Sequence, residues 1–510
     1  MSNLSRRHLL KTAAAGSTLF AGALTTAHAT PIEPMPQKWD ETFDIVVIGS
    51  GFAGLAAAIE ARKAGASVCV LEKMRTIGGN SIINGGIMGV PGTPMQKKQG
   101  YKDSPELMAE DMIREGAGLN HPDKVLHLCR EALPTWEWTV KELGVDWVQE
   151  RVSQEGGHTV PRCAILKTGS GSEIVNKEIA KLKELGVKPR TRVFMEKIIR
   201  DADGRVKGVQ VREGYKFPDA NSGKVKFICA RKAVVLAHGG FGADVAFRSQ
   251  QDPKLTEKVG TTCQPGATSE LWRETMAIGC LQVQDDWIQC GPWTSPREKG
   301  MGIGWQFSQT AAAEYGIWVN SEGNRFVNEL ANRKVRADAI MLEQQAGRKA
   351  FAIAQGKNVE PLKKQRPGFL EKMLEMKIVS EYKTLEDLAK KLDMPVENVK
   401  KTFEAYWEAH KTGVDKAFGR PEMVIALDKG PWYAAKITPG IHHTMGGVTI
   451  DPETHVLTKD GKVIQGLFAA GEVTGGVHGG NRIGGNAVTD IVTFGRIAGT
   501  NAAAYAKTVK

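Results

Sequence analysis

The chain lacks the cysteine pairs on which metal ribbons, haem attachment sites and disulfide scaffolds are built. Its seven cysteines, at 69, 129, 163, 229, 263, 280 and 290, form no C-x-x-C pair and no C-x-x-C-H. That argues against a structural zinc site, a built-in c-type haem and a disulfide framework, and no metal is expected. Long apolar runs are missing too: the stretch from Thr12 to Leu24 is shorter than the roughly 18 residues a membrane helix needs, so no stable membrane anchor is expected. Basic residues are in excess, giving a formal charge of +11, but acidic residues are interspersed among them. No basic stripe marks a nucleic-acid surface. There is no internal repeat or low-complexity tract, and 41% hydrophobic with 25% charged residues is an ordinary globular balance. A length of 510 residues suggests two or three domains.

Glycine is abundant, with 57 residues, well above the roughly 7% usual share. Where it clusters is informative, because glycine permits tight turns and close backbone approach.

At the N-terminus, Ser5-Arg6-Arg7-His8-Leu9-Leu10-Lys11, an apolar run and Ala27-His28-Ala29 make a basic head, a short apolar core and a small-residue cleavage site. Residues 1–29 are therefore expected to be an export signal leading to the periplasm. The paired arginines resemble a twin-arginine signal; an ordinary secretory signal is the alternative. Loss of Arg6, Arg7 and Lys11 would take the charge from +11 to +8. Residues 30–41, with three prolines, read as a linker.

Asp44-Ile-Val-Val-Ile-Gly49 is a continuous apolar run ending in glycine, the pattern of a buried parallel strand. An alanine-rich helix from Leu55 to Ala64 and a second strand, Ala66–Leu71, complete a βαβ unit. Val234–Phe241 and Leu467–Gly471 read as further strands of the same sheet, and a helix is expected from about Ala487 to Thr508. Sequence-distant halves therefore form one core around an insertion. Inside the insertion, helices over Thr384–Leu392 and Val396–Ala409 place Leu385, Leu388, Leu392, Val399, Phe403 and Tyr406 at helical spacing, as a core face.

Gly49-Ser-Gly51-Phe-Ala-Gly54 fits G-x-G-x-x-G between strand and helix, and Glu72 follows the first glycine by 23 residues. The glycines allow a pyrophosphate to reach the helix N-terminus, and the carboxylate accepts from ribose hydroxyls. Further on come Gly78-Gly-Asn-Ser81 and Gly85-Gly86, and Gly471–Ala487 packs seven glycines into 17 residues. Two glycine-rich loops from opposite ends of the chain, converging on one long cofactor, suit FAD.

These pieces, with Gly239-Gly-Phe241, Gly323-Asn-Arg-Phe-Val-Asn-Glu329, His442-His-Thr-Met-Gly-Gly447 and Asn481-Arg-Ile-Gly-Gly-Asn-Ala-Val488, resemble the flavoproteins of the fumarate reductase and flavocytochrome c group. That group includes soluble periplasmic unsaturated-acid reductases, and the resemblance spans nearly the whole chain. It implies an α/β fold in which a Rossmann-like FAD-binding domain, residues 40–289 and 439–510, is interrupted by an α+β capping domain, residues 290–438. It marks Ala53, Glu72, Asn80, Ser81, Gly86, Val193, Glu472, Ala487 and Val488 as FAD contacts, with Glu270 less surely and with Gly49, Gly51, Gly54 and Gly85 forming the loops. Relatives in membrane complexes attach FAD through a histidine in the second glycine loop. Here that loop reads Ile82-Ile-Asn-Gly-Gly86, which points to non-covalent FAD.

The resemblance also implies reduction of a carbon–carbon double bond conjugated to a carboxylate. Arg482 and His443 would hold the carboxylate, near Gly485, and Arg333 would donate the proton. A guanidinium acid needs its proton returned, yet the family's relay glutamate and second arginine fall on Gln309 and Ala312; Glu314 or Arg336 are the substitutes in view. The far end of the substrate also departs from the fumarate pattern. Gly291, Ser308 and Gln309 stand where a histidine, a threonine and a glutamate would surround a second carboxylate, and Trp287, Trp293 and Trp305 flank the gap. A dianion would bury an unpartnered charge there. The expected substrate is thus a monocarboxylate of the acrylate, urocanate or arylacrylate kind. Fumarate reduction with a relocated cation, a ketosteroid-type dehydrogenase and a non-catalytic FAD electron-transfer subunit are the competing readings. With no haem of its own, the chain is expected to take electrons from a separate c-type cytochrome.

Overall fold

The computed structural model describes residues 35–508 apart from 422 and 424, so the export-signal reading of residues 1–29 lies outside the described residues. The apolar run around Ile45–Ile48 forms the strand Glu41–Ile48, paired in parallel with Val68–Glu72 on one side and Lys224–Leu236 on the other. Val46 and Val47 are fully buried, which is why the run has no polar alternation. The sheet order is His455–Leu457, Val463–Ala469, Lys224–Leu236, Glu41–Ile48, Val68–Glu72, Arg190–Thr191. Val463–Ala469 joins Lys224–Leu236 in parallel, so strands from both ends of the chain do share one sheet. Val206–Glu213 and Val193–Arg200 extend it as an antiparallel flap.

The first helix runs Phe52–Lys63 and starts three residues before the expected Leu55. Its first turn is closed from a distance, since Phe52 N donates to Ser81 Oγ at 3.0 Å, a partner that local sequence does not show. The final helix, Asn486–Thr508, lies against it. Small residues allow this: a Cβ at Gly495 would sit 2.7 Å from the Ala53 Cα, and one at Gly499 2.2 Å from the Ala57 carbonyl oxygen.

The second core surrounds an antiparallel sheet ordered Ile288–Thr294, Trp432–Thr444, Ala350–Gln355, Ile317–Asn320, with Val379–Tyr382 also paired to Trp432–Thr444. Trp318, Ile340 and Ile437 fill one side. Leu388, Val399, Phe403 and Tyr406, from helices Leu385–Lys391 and Val396–Thr412, fill another, as their spacing predicts. Two strands carry the chain between the cores, Ile288–Thr294 outward and Trp432–Thr444 back, and the expected junctions at 289/290 and 438/439 fall within them.

Candidate active site

A cavity lies between the cores. Gly49, Gly51, Ala53, Glu72, Asn80, Ser81, Gly85, Val193, Glu472, Ala487 and Val488 line it, and so do Gln309, Arg333, His443, Arg482 and Gly485. The dinucleotide residues and the chemistry residues therefore face the same space.

At the cradle, Gly49 takes φ +106°, and a Cβ there would meet the Ala237 carbonyl oxygen at 2.3 Å, so only glycine fits the turn. Glu72 closes the second strand; its carboxylate accepts from Ser50 Oγ at 2.6 Å and from Met74 N at 2.8 Å. Asn80 Oδ1 accepts from Gln264 N at 2.7 Å, and Asn80 Nδ2 reaches Glu472 at 3.5 Å. Gly79 and Gly239 have nothing within 4 Å of a Cβ, so a side chain at either would project into the cavity. His238 also lines it, half-buried, with neither of its buried ring nitrogens hydrogen-bonded among the described residues.

Side chains on a strand alternate between faces, yet the consecutive His442 and His443 both line the cavity. A β-bulge explains this: Gln289 pairs with His443 but Cys290 pairs with Ile441, leaving His442 as the extra residue. His442 Nδ1 is 2.8 Å from Thr262 Oγ1, and its ring meets Trp293 edge-on at 5.9 Å. His443 Nε2 and Arg482 Nε are buried and have no hydrogen-bond partner among the described residues. Gln289 steadies Arg482, accepting from its Nη2 at 2.9 Å. Gly485, at φ +84°, turns the chain just beyond, where a Cβ would sit 3.0 Å from both Cys163 Sγ and Gly89 N.

Arg333 opens the helix Arg333–Gln345, capped by Asn332. A cation at this positive end of a helix is unfavourable, so its place is not explained by helix stability. Its guanidinium lies 4.8 Å over the Trp293 ring, and its Nη2 donates to Glu155 Oε2 at 3.1 Å. Arg336, one turn on, donates instead to Gln309 Oε1 at 2.9 Å and to the Glu329 carbonyl at 3.1 Å.

Burial sets the charges here. It depresses His443 well below the usual histidine range, helped by Arg482, and it depresses His442 in the same way. The 3.7 Å approach of His443 Nδ1 to Glu472 is therefore not an ion pair, and Nε2 is left for a ligand in the cavity. Burial and the neighbouring Arg333 push Arg482 down to about 9, so an anion bound there would be strongly favoured.

Four expected residues do not line the cavity. Ser308 lies in the π-helical stretch Phe307–Ala313 with its Oγ donating to the Gly304 carbonyl at 3.3 Å. Gly54 packs on Gly49, and Gly86, at φ +68°, on Leu166. Glu270 sits behind Lys73, which it holds at 3.3 Å. The tryptophans divide: Trp293 and Trp305 line the cavity, whereas Trp287 packs on Gly480. Glu155, Gln289 and His238 escaped the sequence reading. Glu155 and Gln289 earn their places through contacts with segments far along the chain, whereas His238 directly precedes the Gly239-Gly-Phe241 motif, which could have pointed to it.

An open glycine cradle and orphaned buried donors fit FAD, and with a cationic clamp in the same cavity they define a FAD-dependent oxidoreductase. The chain belongs to the family of fumarate reductase and flavocytochrome c flavoproteins: the FAD binding domain family matches residues 44–488. It is 37% identical over 518 residues, covering 98% of this chain and 99% of the relative, to the acrylate reductase flavoprotein subunit of Shewanella woodyi. It is 34% identical to the urocanate reductase of Eggerthella lenta, over 92% of this chain and 76% of that protein. Among solved structures, the open conformation of a flavocytochrome c3 fumarate reductase matches with a TM-score of 0.75 and 32% identity, covering 99% of this chain and 82% of that one.

Proposed function

We propose that the protein reduces the double bond of an α,β-unsaturated monocarboxylate. The observation that carries this is the pair of unpartnered buried groups, Arg482 Nε and His443 Nε2, facing a cavity shared with the dinucleotide cradle. Leaving such groups unmade costs about 1–3 kcal/mol each, so the site is built for a ligand that accepts from both. A carboxylate does so. Relatives named for acrylate and urocanate support the substrate class.

Gly49, Gly51, Glu72, Asn80 and Glu472 would hold FAD non-covalently, and the reduced cofactor would supply the hydride. Arg482 and His443 fix the carboxylate and stabilise the negative charge that develops on that side of the double bond. Arg333 delivers a proton to the other carbon. Trp293 and Trp305 present indole faces to the cavity, and the cation stacked most closely on Trp293 is Arg333, the proposed proton donor, so a neutral or aromatic substituent suits this wall better than a second carboxylate. A separate c-type cytochrome in the periplasm, reached by twin-arginine export, is the donor that suits a chain without haem.

The test is purified holoenzyme with reduced viologen and a panel of acrylate, urocanate, arylacrylates and fumarate. Oxidation by one or more monocarboxylates is expected. Oxidation by fumarate alone would establish the fumarate reading instead, and bound FAD with no oxidation by any acid would favour an electron-transfer subunit.

A further inference from the structure

A guanidinium that gives up a proton needs one back, and Gln309 and Ala312 supply neither an acid nor a base. Gln309 is also engaged elsewhere, holding Arg336. The carboxylate that touches Arg333 comes from the other core: Glu155, 178 residues away in sequence, accepts from Arg333 Nη2 at 3.1 Å. Glu155 lines the cavity, and 24% of its side chain remains exposed, so it meets both the site and solvent. Gly484 permits the approach, since a Cβ there would sit 2.3 Å from Glu155 Oε2.

We propose that Glu155 is the group through which Arg333 recovers its proton from solvent, replacing the relay absent at Gln309 and Ala312; this rests on the enoate-reductase reading above. The balance is simple. The hydride forms one C–H bond as the π bond breaks, and the π electron pair takes the proton of an Arg333 N–H to form the second. The Glu155 carboxylate, no longer facing a cation, takes a proton from solvent and passes it to the neutral guanidine, which restores the carboxylate–guanidinium pair, so no electrons move in the relay.

The surrounding charges suit this task. Arg333, Arg336, Arg482, Glu314 and Cys163 all lie within electrostatic reach of Glu155. Burial, with the charge of Glu155 nearby, pushes Glu314 up to about 7. Glu155 acts through Arg333 and is a positioning residue with a proton to pass, distinct from the donor itself.

The experiment compares wild-type holoenzyme with Glu155→Gln, Glu155→Asp and Glu155→Ala, using reduced viologen and the best enoate of the panel. Glu155→Gln should keep its FAD absorbance and a KM within about threefold, while kcat falls on the order of a hundredfold and the alkaline limb of its pH profile changes. Glu155→Asp should retain more activity, and added formate should restore Glu155→Ala in a concentration-dependent way. Unchanged kcat and pH profile in Glu155→Gln overturns the relay while leaving the function standing. So does a loss confined to KM, or a failure of both aspartate and formate to restore turnover, which would mark a latch between the cores. A wild-type enzyme that reduces no enoate overturns both proposals.

Discussion

Gln289 holds Arg482 at two points: its Oε1 accepts from Nη2 and its Nε2 donates to the Arg482 backbone carbonyl, each at 2.9 Å. Its register partner across the antiparallel pair is His443, so one cross-strand pair supports both halves of the proposed carboxylate clamp. Replacing Gln289 by Leu keeps much of the volume and removes both bonds. With hydrogen bonds to charged groups worth about 1.5–3 kcal/mol, KM for the carboxylate should rise about tenfold or more while FAD content stays unchanged. Steady-state kinetics with flavin absorbance checks this, and an unchanged KM would show that Arg482 is held by packing alone.

His443 is neutral across the physiological range, because burial and Arg482 depress it well below its usual value. Carboxylate binding should therefore show no histidine titration between about pH 6 and 8. His443→Gln, which keeps a donor, should bind more tightly than His443→Ala. A KM that falls steeply from pH 8 to 6 would mean that the imidazole is charged when it binds.

His158 connects a buried ion network to the substrate loop. Arg162, paired with Asp103 and Asp111, reaches its Nδ1 at 2.8 Å, and its Nε2 lies 2.9 Å from the Gly484 carbonyl. Burial and Arg162 lower it from 6.5 to about 4. The unfolded chain then binds a proton that the fold does not, so stability falls as pH drops below about 6.5 and the loss saturates near the folded value. The contribution is on the order of 3 kcal/mol. Urea unfolding of His158→Asn at a series of pH values should show a shallower decline between about pH 6.5 and 4 than wild type. An equal slope would assign the acid sensitivity to other groups.

The contact of Gly499 with Ala57 leaves no room for a side chain. Gly499→Val should push the final helix from the first and cost about 1–3 kcal/mol or more, seen as a lower Tm and weaker FAD retention. Gly347, which has nothing within 4 Å but takes φ +77°, is the contrasting site: substitution there should cost backbone strain only, with FAD retention intact. Equal FAD loss in both variants would contradict this distinction.

What the sequence made legible was local or strongly patterned. Gly49, Glu72 and the strand and helix between them follow from apolar runs and turn chemistry within one βαβ unit. The helix faces carrying Leu388 and Phe403 follow from their period. Glu155 and Gln289 were not legible, because their partners Arg333 and Arg482 lie 178 and 193 residues away. The bulge at His442 was hidden for another reason: it depends on the register of two strands, and the sequence of either strand alone would place His442 and His443 on opposite faces. The first helix starts three residues before the expected Leu55 because the acceptor for its first N–H, Ser81 Oγ, arrives from a different loop.

The strands Ile288–Thr294 and Trp432–Thr444 are the chain's two crossings from core to core, and they also bear Gln289, Trp293, His442 and His443. The grip on the substrate is thus mounted on the bridge itself. Tilting one body against the other must bend the same backbone that aims the imidazole and the indole, so posture and grip form one mechanical coordinate. A defect in this bridge would show first as poor discrimination among acids, with the flavin still seated in its undisturbed half.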